Sequence, residues 1–178
     1  IVVSALHAVM QSDSRAVHFA RVLDLGCGTG LLAEALQGKA GQIDGVDLSP
    51  GMLEVARAKN LYHALHVADV TAFVAAVPPD AGYDLVAAVD VLVYLGDLAP
   101  LFHAVGQTLR PGGLFAFTTQ SGPADGYLLG ADMRFHHSEA YLCATAAAAG
   151  LVCRHLSPVV TRKDAGADVP GLAMVLGQ

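Results

Sequence analysis

One stretch constrains this chain more than any other: Val22-Leu23-Asp24-Leu25-Gly26-Cys27-Gly28-Thr29-Gly30, an apolar run ending in glycines at every second position, with Leu31-Leu32-Ala33-Glu34-Ala35-Leu36 directly behind it. Residues 20–25 read as a buried strand, the glycines as a turn, and 31–36 as the start of a helix. A backbone without Cβ atoms lets a ligand approach closely, and the helix offers that ligand its unpaired N–H groups. The same grammar recurs along the chain. Residues 43–47 read as a second strand, after which Ser49 supplies an N-cap oxygen and Pro50 sits where a missing N–H costs nothing, so a helix is expected over 50–59. Strands follow at 63–67 and 83–89, the latter introduced by Pro78-Pro79-Asp80-Ala81-Gly82, which cannot continue a helix. Leu98, Leu101, Phe102, Val105 and Leu109 mark one helical face that stops at Pro111-Gly112-Gly113, before a fifth strand at 114–119. Ser138 is placed to cap a last helix ending at Gly150. Two closing strands, 151–156 and 172–176, are expected to be antiparallel, because the turn at 163–166 is too short for a crossover helix.

Strand and helix alternating in series predict an α/β fold: a doubly wound, Rossmann-like, mostly parallel seven-stranded sheet with helices on both faces and one antiparallel strand near the C-terminus. The 178 residues make one domain, with 1–19 as an N-terminal helical segment and 120–137 as a candidate lid loop. A net charge of −6 gives no basic stripe to neutralise a phosphate backbone, which argues against nucleic acid as a partner. The apolar opening is too short to span a bilayer, so no membrane association is expected. Cys27, Cys143 and Cys153 are odd in number and lack metal-ligand spacing, which points to a reduced, cytoplasmic compartment and no metal site.

The acid two residues before the first glycine, together with G-x-G-x-G, resembles motif I of S-adenosylmethionine-dependent methyltransferases. The dinucleotide fingerprint would need its third glycine at position 31, which is Leu31, so an NAD-dependent oxidoreductase is the lesser rival. Asp47, at the end of the second strand, is brought beside the glycine turn to meet ribose hydroxyls. Asp69, after the third strand, either accepts from an adenine amino group covered by Leu48, Met52 or Val70, or caps the helix that follows. Asp90 ends the fourth strand at the switch point of the sheet, where it faces the methionine end or the methyl acceptor, or else only caps the next helix.

Taken together, residues 24–30, 47–53, 69–70, 90–98 and 109–113 are similar to class I methyltransferases over about the first 120 residues. Residues 90–98, 125–127, 134–138 and 169–172 further resemble bacterial methyltransferases linked to tetratricopeptide repeats, which implies a helical-repeat region as a partner ahead of Ile1. The resemblance implies S-adenosylmethionine as cofactor, S-adenosylhomocysteine as product, and methyl transfer to an unidentified small molecule. The residues expected to bind the cofactor are Asp24, Gly26, Cys27, Gly28, Gly30, Asp47, Leu48, Met52, Asp69, Val70 and Asp90. For a hydroxyl or amine acceptor a base assists, and the candidates are His137, His136, Asp90 and Tyr94. The histidines lead because imidazole titrates near neutrality; the alternative for them is a surface pair beside a helix cap. A non-catalytic module that binds adenosylmethionine or scaffolds a partner is the competing function, since no residue is diagnostic of an acceptor.

Overall fold

The computed structural model describes residues 1–14, 16–78, 82–123, 125–164 and 166–178; Pro79, Asp80 and Ala81 of the proline-rich turn, and Ala165 of the closing turn, lie outside them. Helix α1 (Val2–Ser12) buries Val2, Ala5, Leu6, Val9 and Met10, an i, i+3, i+4 stripe that packs on the sheet. Then come β1 (Phe19–Leu25), α2 (Leu31–Ala35), β2 (Ala40–Asp47), α3 (Pro50–Ala58), β3 (Ala64–Val67), α4 (Val70–Ala76) and β4 (Tyr83–Ala88). A single 3-10 turn (Leu92–Tyr94) leads to α5 (Ala99–Thr108) and β5 (Leu109–Ser121). The chain finishes with β6 (Tyr127–Leu129), β7 (Phe135–His137), α6 (Glu139–Ala148), β8 (Val152–Asp164) and β9 (Ala167–Gly177).

Strands β3, β2, β1, β4 and β5 lie side by side in that order, all parallel, so the winding reverses between β1 and β4. Every residue of β4 is buried, as a central parallel strand covered on both faces requires. Its alternate residues serve two cores. Val86 and Ala88 join Phe102, Phe115 and Phe117 under α4, α5 and α6, while Leu85 and Ala87 join Leu6, Val9 and Leu36 under α1 and α2. Ring centroids of Phe102, Phe115 and Phe117 stand 4.9 to 5.3 Å apart, within the range of favourable aromatic packing.

The far edge of β5 is shared. Leu114 to Gln120 pair antiparallel with β9, whereas Gln120 and Ser121 pair parallel with β7. With β8 beyond β9 and β6 beyond β7, the sheet has nine strands among the described residues, against the seven expected. The two extra strands come from the segment read as a lid loop, which folds instead as the end of β5 and a hairpin. Three-residue strands are too short for alternation to register in the sequence, and it is the open edge of β5 that organises them. The closing pair β8 and β9 is antiparallel, as its short connection dictates.

Candidate functional site

Gly26, Gly28 and Gly30 all have positive φ, 64°, 52° and 86°, where a side chain is strained. Two of them also have no room for one. A Cβ on Gly26 would overlap Val91 Cγ2, and on Gly30 it would stand 3.0 Å from the Tyr62 ring. The turn is pinned by Cys27 N–H donating to the Val46 carbonyl at 3.0 Å and Gly30 N–H to the Cys27 carbonyl at 2.8 Å. A third bond joins the turn to the second strand's acid: Gly28 N–H donates to Asp47 Oδ2 at 2.9 Å, while Ser49 N–H donates to Oδ1 at 2.8 Å. Asp47 thus clasps two turns at the C-terminal ends of β1 and β2, and each carboxylate oxygen retains a lone pair.

The turn forms one wall of a cleft of about 480 Å³, a size suited to a small-molecule cofactor. Asp24, Cys27 and Gly28 line it, with Met52 from α3, Asp90 beyond β4, and Ile1, Val2 and Val3 at the start of α1. Asp24 is 2 % exposed, and Tyr62 O–H donates to its Oδ2 at 2.7 Å. Burial raises its carboxyl to about 7; the Tyr62 bond opposes this, and the charge of Asp47 adds to it. Burial, with the charges of Asp24 and Asp47, pushes the Cys27 thiol up to about 12, so that sulfur packs and does not react.

Leu48 and Met52 are exposed apolar side chains at the start of α3, 68 % and 47 % accessible. Of the two readings of Asp69 the cap is realised: its Oδ1 accepts from Ala72 N–H at 2.8 Å. Val70 corrects the expectation. It is buried with Val46, Val74 and Leu92 in the core and does not line the cleft, because the first residue of α4 turns its side chain beneath the helix.

Asp90 lines the cleft in the left-handed region, φ 59°, with its N–H donated to Thr118 Oγ1 at 3.0 Å. It caps nothing: the 3-10 turn begins after Val91 without a side-chain cap. Its Oδ1 instead accepts from Arg134 Nη1 at 3.2 Å, and that guanidinium lies 5.2 Å from the ring centre of Tyr94, which is 61 % exposed.

The histidines are the second correction. His137 is fully buried, its Nδ1 2.8 Å from Thr119 Oγ1 and its Nε2 3.1 Å from the Gly96 carbonyl. A carbonyl only accepts, so Nε2 carries the proton and Nδ1 accepts from the threonine. No lone pair is left for a substrate, and burial holds the imidazole below its usual range. His136 turns its nitrogens to the Ser121 carbonyl at 3.1 Å and Asp132 Oδ1 at 3.3 Å. Both rings hold the β6–β7 hairpin in place. His137→Ala is therefore expected to lower stability by about 2–4 kcal/mol, the cost of two buried bonds and the packing on Tyr127 and Tyr141. Differential scanning calorimetry reads this directly, and an unchanged Tm contradicts it. Tyr62 gave no sequence signal, being 38 residues from its partner Asp24; Arg134 stood only within the resemblance.

Comparison with known proteins follows the same lines. A model of the family described as "Methyltransferase domain" matches residues 22–113. The "Ubiquinone biosynthesis O-methyltransferase" of Hydrogenovibrio crunogenus is 32 % identical over 115 residues, covering 61 % of this chain and 46 % of that protein. This chain spans less than half the length of such curated relatives. Among solved structures, an S-adenosylmethionine dependent methyltransferase from Mesorhizobium loti superposes with a TM-score of 0.73 at 23 % identity, covering 98 % of this chain and 96 % of that one. The 1,6-didemethyltoxoflavin-N1-methyltransferase of Burkholderia thailandensis, solved with bound S-adenosylhomocysteine, has a TM-score of 0.73 at 17 % identity, with 98 % and 76 % covered.

Proposed function

This chain belongs to the methyltransferase-domain family, and from that membership we propose that it transfers the methyl group of S-adenosylmethionine to a small-molecule acceptor. The observation that carries the reading is the bond from Gly28 N–H to Asp47, which ties the second strand's acid to the glycine turn that walls the cleft. The chemistry of the cleft and of the residues beside it fits the cofactor. Asp24 offers a carboxyl to its ammonium, Asp47 offers free lone pairs to its vicinal ribose hydroxyls, and Leu48 and Met52 offer apolar cover to its adenine. Asp69 keeps acceptor capacity beyond its cap for the adenine amino group. Space is left for the ligand at Gly28, where a Cβ would find no atom closer than the Gly26 carbonyl at 4.0 Å.

When bound, the cofactor supplies a methyl group activated on a sulfonium. The protein's own task is to hold the acceptor atom in line with that methyl in a dry cleft. Asp90 is the group placed to take the acceptor's proton, since it lines the cleft and both histidines are committed to the hairpin. The names of the relatives, O-methyltransferases of ubiquinone biosynthesis, favour a hydroxyl oxygen as the accepting atom. No helix among the described residues is long and apolar enough to cross a membrane. We place the enzyme in the cytoplasm, where exposed thiols such as Cys143 and Cys153 stay reduced, with a helical-repeat region as its expected partner.

Calorimetry with S-adenosylhomocysteine tests the cofactor. Wild-type protein is expected to bind saturably, and Asp47→Ala to lose about 2–4 kcal/mol of that binding, because the clasp on Gly28 and the ribose partner go together. Absence of binding to the wild type refutes the reading. Labelled methyl passed from S-adenosylmethionine to small molecules of an extract tests the reaction; binding without transfer leaves the non-catalytic module as the better account.

A further inference from the structure

Arg134 sits in the turn between β6 and β7, and the structure fixes it more firmly than a surface arginine needs. Its N–H donates to Asp132 Oδ1 at 3.3 Å, and its carbonyl accepts from Gly130 N–H at 2.8 Å. Asp132 in turn accepts from Arg162 Nη2 at 3.0 Å and faces His136 Nε2. The residue before it, Met133, is held at φ 58°, and its partner Asp90 at φ 59°. Two non-glycine residues in the left-handed region bear on one ion pair, and strain of that kind persists only where the surroundings impose it, most often at working sites. The hairpin is also seated against the loop that follows Asp90: a Cβ on Gly96 would come within 2.9 Å of both Phe135 and Tyr127.

The side chain of Arg134 is 20 % exposed, yet among the described residues its guanidinium makes one hydrogen bond, from Nη1 to Asp90 Oδ1. A guanidinium has five N–H donors in a rigid fork, so a partly exposed one bonded through Nη1 alone keeps donors open to a ligand. The fork matches the two oxygens of a carboxylate. Beneath it lies the ring of Tyr94, whose residue is 61 % exposed and presents flat apolar surface beside the guanidinium. The protein carries a net charge of −6, so a cation bonded to Asp90, which does line the cleft, is what allows an anion to settle nearby.

We infer that Arg134 and Tyr94 form an acceptor subsite that takes a planar carboxylate, with Asp90 orienting the guanidinium from one side and leaving its remaining donors to the ligand. The inference rests on the methyl-transfer reading and names the acceptor class for it: a flat molecule with a carboxylate set apart from the hydroxyl that receives the methyl.

The test uses the full chain loaded with S-adenosylhomocysteine and titrated by calorimetry with benzoate or with benzamide, which share shape and differ in charge. Benzoate is expected to bind at least about tenfold tighter than benzamide. Arg134→Gln brings the two to parity while S-adenosylhomocysteine affinity stays at the wild-type value, and Arg134→Lys keeps part of the preference because the charge remains without the fork. If Arg134→Gln does not load with S-adenosylhomocysteine, Arg134→Lys and Tyr94→Leu carry the test, and each must weaken benzoate several-fold. Equal binding of the two probes to wild-type protein, no saturable benzoate binding, or an unchanged preference in the variants overturns the subsite. A wild-type protein that does not bind S-adenosylhomocysteine strikes the cofactor reading itself, a different failure.

Discussion

Replacing Asp24 with asparagine is expected to separate stability from cofactor binding in opposite directions. In the folded protein this carboxyl is raised to about 7 by burial, against 3.8 for an ordinary aspartate. Between those two pH values the folded chain holds a proton that the unfolded chain has released, so the contribution of Asp24 to stability is full below about pH 4 and is lost as pH rises through 7. A shift of that size corresponds to about 4 kcal/mol between the two ends of the window. Asparagine keeps an oxygen for the Tyr62 O–H and cannot ionise, so Asp24→Asn should be more stable than wild type at pH 8 and no more stable at pH 4. Urea unfolding of both proteins across that range isolates the difference, since every other titrating group is shared. Binding moves the other way. An ammonium in the cleft needs the ionised form, so wild-type affinity for S-adenosylhomocysteine should weaken as pH falls below 7, by up to about tenfold per unit. The variant should be weak at every pH, by about 2–4 kcal/mol relative to wild type at pH 8. A variant that binds as well as wild type at pH 8 removes Asp24 from cofactor recognition.

The glycine turn and its acid were legible in the sequence because their meaning is local. Gly26, Gly28 and Gly30 do adopt backbone angles that favour glycine, and Ser49 and Ser138 do cap their helices, accepting from Met52 and Tyr141 N–H. Asp47 was legible at one remove, since parallel pairing of β1 and β2 places the end of one strand beside the turn that follows the other. Where identical residues serve two purposes, the sequence was silent. An aspartate before a helix looks the same whether it caps or binds, and Asp69 caps while Asp90 does not. His136 and His137 failed for a different reason. Their surroundings come from Ser121, Thr119, Asp132 and Gly96, and only the pairing of β7 with β5 turns one ring into the interior. Tyr62 was invisible because two glycines on other strands and turns, Gly30 and Gly45, exist to admit its ring. An absence of side chains carries no trace of what fills the space.

That kind of absence is testable at Gly26. Alanine there meets two obstacles: φ of 64°, which costs roughly 1–2 kcal/mol for a residue with a Cβ, and overlap with the Val91 side chain. Overpacking of this kind adds about 1–3 kcal/mol, so Gly26→Ala should lose about 2–5 kcal/mol in all. Val91→Ala alone removes partly buried methyl groups and costs less, about 1–2 kcal/mol. The double variant keeps the backbone penalty and loses the clash, so its cost should fall short of the two single costs added together, a coupling of about 1–3 kcal/mol measurable by denaturant unfolding. Additive costs would show that the turn does not lean on Val91. The functional consequence follows from what Val91 is attached to. It is the neighbour of Asp90, whose N–H is held by Thr118 and whose carboxylate holds Arg134. Gly26→Ala pushes on that segment from the cofactor side. It should therefore weaken benzoate binding at the Arg134 subsite as well as S-adenosylhomocysteine binding, whereas Val91→Ala in the same chain should restore the former more than the latter. That pattern would make the contact between a glycine without a side chain and a valine the link between the cofactor wall and the proposed acceptor wall.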